Sequence, residues 1–132
     1  MAIVLKHKAD TDGKPYLANA RRIASLADEK KAENIRGYDV QGLTAVADCF
    51  IILTVNSDPQ MKAVMNSIRE GMREVGVGIL RTEGDFHGGW VLLDYNDIIV
   101  HLFRKDPREF YDLDGVWADA PAIELDLEMP LP

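Results

Sequence analysis

Nucleophilic catalysis needs a Ser or Cys within reach of a His that an acid orients. The single cysteine, Cys49, opens an apolar run and reads as a core thiol, and no G-x-S-x-G elbow surrounds Ser25, Ser57 or Ser67. Of the three histidines, His7, His87 and His101, no two have the i, i+4 spacing of a helical zinc site. His101 can reach Asp94 or Asp97 across a hairpin. That leaves a metal site or an acid/base pair open, beside the simpler reading of a strand histidine bonded to a neighbour. Metal-dependent nucleotidyl transfer usually presents two acids from one strand on one face. Asp112 and Asp114 have that spacing but fall in an expected short helix, where such residues diverge by about 200°. Gly84 to Gly89 holds three glycines without the Lys-Ser/Thr of a P-loop, and its acid would repel phosphate. Catalysis is therefore poorly supported by the residues.

Surface chemistry is better supported. Trp90 follows Gly88-Gly89 at a strand start, and Tyr111 and Trp117 frame a short acid-rich helix. Aromatic anchors beside negative charge suit a protein interface with a basic partner, in which the buried ring supplies affinity and the charges orient the encounter. The competing reading is that the tryptophans simply finish the core.

The elements that must hold these residues follow from periodicity. Leu17, Ala20, Ile23, Ala24 and Ala27 repeat at helical spacing within a helix predicted over 15–33, and Ile35 to Val40 reads as a short strand. Cys49 to Val55 is continuously apolar, as expected of a central strand covered on both faces. Asp58 as cap, Pro59 in the first turn and apolar residues from Met61 to Val75 predict a second helix that Gly76 ends. Val77 to Thr82 is an expected strand, Glu83 to Gly89 a polar loop, and Trp90–Asp94 and Ile98–Phe103 a hairpin around Tyr95-Asn96-Asp97. Asp106 to Glu109 has capping-box spacing and opens a short helix expected to stop at Gly115. The fold class is α/β: one domain, a mixed, mostly five-stranded sheet flanked by helices. The crossover through the second helix can make the strands on its two sides parallel.

Length and charge bound the rest. At 132 residues the chain suits one domain with a real core. A formal net charge of −7 argues against broad binding to phosphate backbones or anionic lipid, so no direct DNA or membrane partner is expected. The stretch 106–132 has one base, Arg108, against eight acids, and so equals the whole net charge. Residues 1–14 read as a leader that need not be ordered, 15–120 as the domain, and 121–132 as an acidic, proline-containing tail. The first reading of this tail is a solvated extension; as a strand it would set Glu124, Asp126 and Glu128 on one face and Ile123, Leu125, Leu127 and Met129 on the other, a pattern suited to docking on a basic sheet edge. One cysteine and no membrane-length apolar run make the cytoplasm the expected compartment.

Several pieces together carry a resemblance: Asp39-Val40-Gln41, Asp48-Cys49-Phe50-Ile51-Ile52, Glu83-Gly84, Gly89-Trp90-Val91-Leu92-Leu93-Asp94, Asp97 to Phe103 with His101, Tyr111-Asp112-Leu113 and Trp117-Ala118-Asp119-Ala120. From about the first helix to Ala120 the chain resembles the ribosomal silencing factor family, RsfS, also called Iojap. It departs from the family's Thr-Gly-x-Ser at Thr54-Val55-Asn56-Ser57, where valine takes the glycine position. The resemblance implies a nucleotidyltransferase-like fold without catalytic acids, no cofactor and no metal. It implies binding to a basic protein of the large ribosomal subunit, the one numbered fourteen, which blocks joining of the small subunit and damps translation. Homodimers are expected. Trp90 matches the interface tryptophan, and Glu83, Asp94, Asp97, His101 and Tyr111 match positions that shape the partner-binding surface, with Asp97 and Tyr111 also open to structural roles. Two other functions stay open: a large-subunit assembly factor acting on precursors, and a metal-dependent nucleotide-binding or nucleotidyl-transferring enzyme built on Asp94, Asp97 and His101.

Overall fold

A computed structural model describes residues 14–127; the expected leader, apart from Lys14, and the last residues of the expected tail, 128–132, lie outside the described residues. The elements are α1 (Leu17–Glu29), β1 (Glu33–Asp39), β2 (Cys49–Val55), α2 (Asp58–Glu74), β3 (Arg81–Asp85), β4 (Trp90–Asp94), β5 (Ile98–Arg104), α3 (Lys105–Tyr111) and α4 (Leu113–Val116). The strands form one sheet in the order β1-β2-β5-β4-β3. Only β2 and β5 are parallel neighbours; β1 with β2, β4 with β5 and β3 with β4 are antiparallel. The crossover through α2 thus carries the chain from β2 to the far edge, and β5 and β4 later fill the space between. The mixed five-stranded sheet flanked by helices is the expected fold class.

One sheet face is dry. Leu17, Ala20, Ile23, Ala24 and Ala27 of α1 and Met61, Val64, Met65, Ile68 and Met72 of α2 are buried. They meet Cys49, Ile51, Leu53 and Val55 of β2 and Ile98, Val100 and Leu102 of β5 in the main core. Each fully buried Leu or Ile side chain contributes about 1.5–3 kcal/mol. All seven residues of β2 are buried because the sheet is covered on both sides there.

Several boundaries differ from expectation. The first helix ends at Glu29, short of Glu33, because Lys31 turns left-handed with φ 69° and releases the chain into β1. The cap of α2 is Ser57, not Asp58: its Oγ accepts from the Gln60 amide at 3.1 Å, and Asp58 sits in the first turn paired with Arg104. The strand expected at Val77–Thr82 lies instead at Arg81–Asp85, within the segment expected to be a loop. Hairpin pairing with β4, from Arg81 opposite Asp94 to Asp85 opposite Trp90, decides its register, while Val77 and Ile79 pack on the core outside any strand. Gly84 has φ 88° and lies against the Trp90 carbonyl, where a Cβ would collide. The capping box at Asp106–Glu109 does not form, since α3 already begins at Lys105 and its N-cap, Arg104, makes no side-chain capping bond. Nor does Gly115 stop that helix. Asp112, left-handed at φ 47°, ends α3 and caps α4, which contains Gly115.

The segment 121–127, assigned to the tail by composition, runs along the outer edge of β1. The Asp39 amide donates to the Pro121 carbonyl and the Ile123 amide to the Gly37 carbonyl, each at 2.9 Å. Leu125 is buried, and Ile123 and Leu127 pack against the core. A Cβ on Gly37 would press on Ile123 and Leu125 at 3.2 Å, so the small residue admits this close approach.

Candidate functional surface

The other sheet face takes the alternate residues of the same strands. In β4 these are Trp90, Leu92 and Asp94, opposite Phe103, His101 and Ile99 of β5 and Asp85, Glu83 and Arg81 of β3. The short α3 and α4 and the loop residues Val40, Ala47 and Ala120 pack on this side around Phe50 and Ile99, while Trp90 and Leu92 stay partly exposed.

Trp90 is half-buried and held by rings. Phe103 stacks on it at 4.9 Å between centroids, Tyr111 lies at 4.8 Å, and its Nε1 donates to His101 Nδ1 at 3.2 Å. Accepting at Nδ1 leaves the histidine's proton on Nε2, which is buried without a partner among the described residues. His101 is only 4% exposed, and burial pushes its pKa down to about 4 against a weaker pull from the Asp114 charge, so the ring is neutral at pH 7. Phe50 meets His101 edge-on at 5.1 Å and Trp117 meets Phe50 edge-on at 5.3 Å. An aromatic run thus crosses the face from Tyr111 to Trp117.

Arg108 ties the covering helices down. It is 7% exposed, and its guanidinium holds both carboxylate oxygens of Asp114 at 3.0 and 2.9 Å. It also donates to the Asn34 carbonyl at 2.7 Å and Thr54 Oγ1 at 2.9 Å, so one side chain joins α3 and α4 to β1 and β2. Burial alone would raise the Asp114 pKa, but the hydrogen bonds from Arg108 and from Tyr38, whose hydroxyl lies at 2.8 Å, hold it below the ordinary carboxylate value. Burial and this hydrogen bond push the Tyr38 phenol up to about 12.

The structure gathers Glu83, Trp90, His101 and Tyr111 on or beside this face and separates the other two site residues from them in role. Glu83 is exposed and pairs with Arg81 at 3.2 Å; with Gly84, Trp90 and Leu92 it lines a shallow depression of about 220 Å³. Asp94 is buried, pairs with Arg81 at 3.1 Å and accepts from the Asn96 amide at 2.7 Å, so it fixes the hairpin turn. Asp97 sits in that turn, at the end of the hairpin away from Trp90, where its carbonyl accepts from the Asp48 and Cys49 amides at 2.9 and 3.0 Å. His101 lies opposite Leu92 and bonds to Trp90, so the pairing with Asp94 or Asp97 left open by the sequence does not form. Among the described residues no group of three or more His, Cys, Asp or Glu could hold a metal ion.

Sequence reasoning missed Arg108, Phe103 and Phe50 as organisers of this face. A signal for Arg108 was present: it is the lone base in the acidic stretch 106–132, and a solitary base among acids is a candidate for an internal pair. Nothing in the residue order marked which strand aromatics would share Trp90's face until the hairpin register was known.

Comparison with known proteins gives a consistent picture. The family model described as "Ribosomal silencing factor during starvation" matches residues 14–131. The chain is similar to the ribosomal silencing factor RsfS of Bacillus subtilis, 41% identical over 106 residues that make up 80% of this chain and 90% of that protein. It is 33% identical to the chloroplastic protein Iojap of Arabidopsis thaliana over 89% of this chain and 49% of that one. A crystal structure of a Chromobacterium violaceum protein superposes with a TM-score of 0.73 at 31% identity, covering 76% of this chain and 84% of that chain.

Proposed function

The chain belongs to the ribosomal silencing factor family, and from that premise we propose that it binds a basic protein of the large ribosomal subunit through the open sheet face centred on Trp90. In this reading the partner is the large-subunit protein numbered fourteen, and the bound domain blocks joining of the small subunit in the cytoplasm. The action is steric, with no catalytic step and no cofactor. The relatives are named as silencing factors rather than as enzymes. The observation that carries the reading is Trp90 itself, half-buried, braced by Phe103, Tyr111 and His101, and flanked on β3 by Glu83 and Asp85. A ring already immobilised loses little entropy on binding, which is what an anchor residue requires. The acids supply attraction to a basic surface.

Cosedimentation with purified large and small subunits tests it. The chain is expected to travel with the large subunit alone, and Trp90→Ala should weaken that association at least about tenfold, with its far-ultraviolet circular dichroism unchanged. Binding to neither subunit, or a variant that binds as well as the parent, would overturn the proposal.

A further inference from the structure

The most exposed large apolar side chain of the described residues is Phe110, at 81%, on α3. It does not stand alone. Its ring meets Tyr111 edge-on at 5.1 Å, and Tyr111 in turn lies 4.8 Å from Trp90, so an aromatic series leads from the braced tryptophan out to a ring open to water. Val116 of α4 is exposed on the same pair of helices. Single exposed apolar residues are ordinary, whereas a joined series continuing from a candidate anchor marks an interaction surface.

Charge tells what would cover it. From Lys105 to Asp119 the chain carries Asp106, Glu109, Asp112, Asp114 and Asp119 against Lys105 and Arg108. Arg108 is buried and spent on Asp114, so on α3 and its C-cap three exposed acids, Asp106, Glu109 and Asp112, outweigh one exposed base, Lys105. An open phenyl ring on a net-acidic helix is a receptor for a guanidinium or ammonium group: the ring attracts the cation and the acids of the helix add to the attraction. The ledge is also stiff, because Arg108 fastens α3 and α4 to two strands.

We propose that Phe110 is a second anchor, and that the ledge of Phe110 and Tyr111 extends the Trp90 surface to take an arginine or lysine side chain of the same basic partner. This rests on the function proposed above. The occupant is a protein segment rather than nucleic acid, since the surrounding acids repel phosphate.

The test is equilibrium binding of fluorescently labelled full-length chain to purified large subunits, comparing the parent with Phe110→Ala, Phe110→Leu and Trp90→Ala. Phe110→Ala should weaken binding about tenfold, and Phe110→Leu, which keeps apolar bulk but loses the ring face, should recover little of that. The melting temperature should stay within about 2 °C of the parent for both, because so exposed a ring contributes little to packing. If Trp90→Ala weakens binding and Phe110→Ala does not, the ledge is not part of the site although the Trp90 reading stands. Full recovery by leucine would overturn the cation-binding role. An unchanged affinity combined with loss of a dimer in sedimentation velocity would assign the ledge to a second copy of this chain and overturn the proposal. A parent chain that fails to bind the subunit would remove both readings together.

Discussion

The two faces of one sheet are built from the same five strands and solve different problems. On the α1–α2 side, β2 and β5 present Cys49, Ile51, Leu53, Val55, Ile98, Val100 and Leu102 to helices of 13 and 17 residues, and the contact is apolar throughout. On the opposite side, the alternate residues include Phe50, Thr54, His101 and Phe103, covered in part by helices of seven and four residues. The first face is closed by area. The second has a small apolar cluster around Phe50 and Ile99 and is otherwise closed by directed contacts: the Trp90–His101 hydrogen bond, the aromatic run and the Arg108 guanidinium. Dispersion and hydrophobic burial tolerate small shifts, whereas bidentate ion pairs and ring stacks hold side chains in fixed positions. A protein that must fold on one side and offer a shaped surface on the other gains from keeping these devices apart.

The largest expected effect breaks the directed side at its tie point. Arg108→Ala removes one partner of a buried pair and leaves the Asn34 carbonyl and Thr54 hydroxyl without their donor, so it should cost about 3–5 kcal/mol in urea unfolding. A loss below about 1 kcal/mol would mean that α3 and α4 are held by packing alone, and the contrast between faces would fail.

A smaller effect reads the same face through pH. Unfolded, His101 binds a proton near its ordinary 6.5; folded, burial delays protonation to about 4. Between those values the unfolded chain binds the proton and the folded chain does not. Stability is therefore whole above about pH 6.5 and falls as pH drops toward 4, by about 3 kcal/mol in all. His101→Phe keeps an aromatic ring and removes the titration, so its urea midpoint should change much less than the parent's between pH 7 and pH 5. Equal slopes for the two proteins would show that the buried imidazole is not the source.

The smallest effect sharpens the comparison at the surface. If the acids of the open face steer a basic partner, the association rate should fall severalfold as salt rises from about 50 to about 300 mM, while Trp90→Ala should act mainly on dissociation. Stopped-flow mixing with large subunits separates the two rates. Salt-independent association would confine the face's contribution to its rings.

Legibility in the sequence divides along the same line. Cys49–Val55 and Trp90–Asp94 were readable to the residue, because continuous apolar runs bounded by polar turns leave little freedom. The apolar stripe of α2 was equally plain. What escaped was set by long-range pairing. β3 has five exposed residues and no apolar pattern of its own, so only its hairpin with β4 locates it. The break at Asp112 depends on a left-handed residue whose side chain caps the next helix, an option that helix propensity alone does not anticipate. Of the surface, Trp90 and Tyr111 stood out as aromatics beside acids, Glu83 and a surface role for His101 came from motif resemblance, and their neighbourhood was unreadable until the register placed Phe103 opposite Trp90.

The strip 121–127 along β1 also orders events during synthesis. Arg21 on α1 donates to the Glu124 carbonyl across 103 positions, and β2 must wait for β5 as its parallel neighbour. A nascent chain emerging N-terminus first can form α1 and the β1–β2 pair early, but it cannot assemble the centre of its sheet until β5 is made, nor seal the β1 edge until Leu125 has left the ribosome. The sheet and its β1 edge are thus completed late, with the first helix waiting for residues more than a hundred positions downstream.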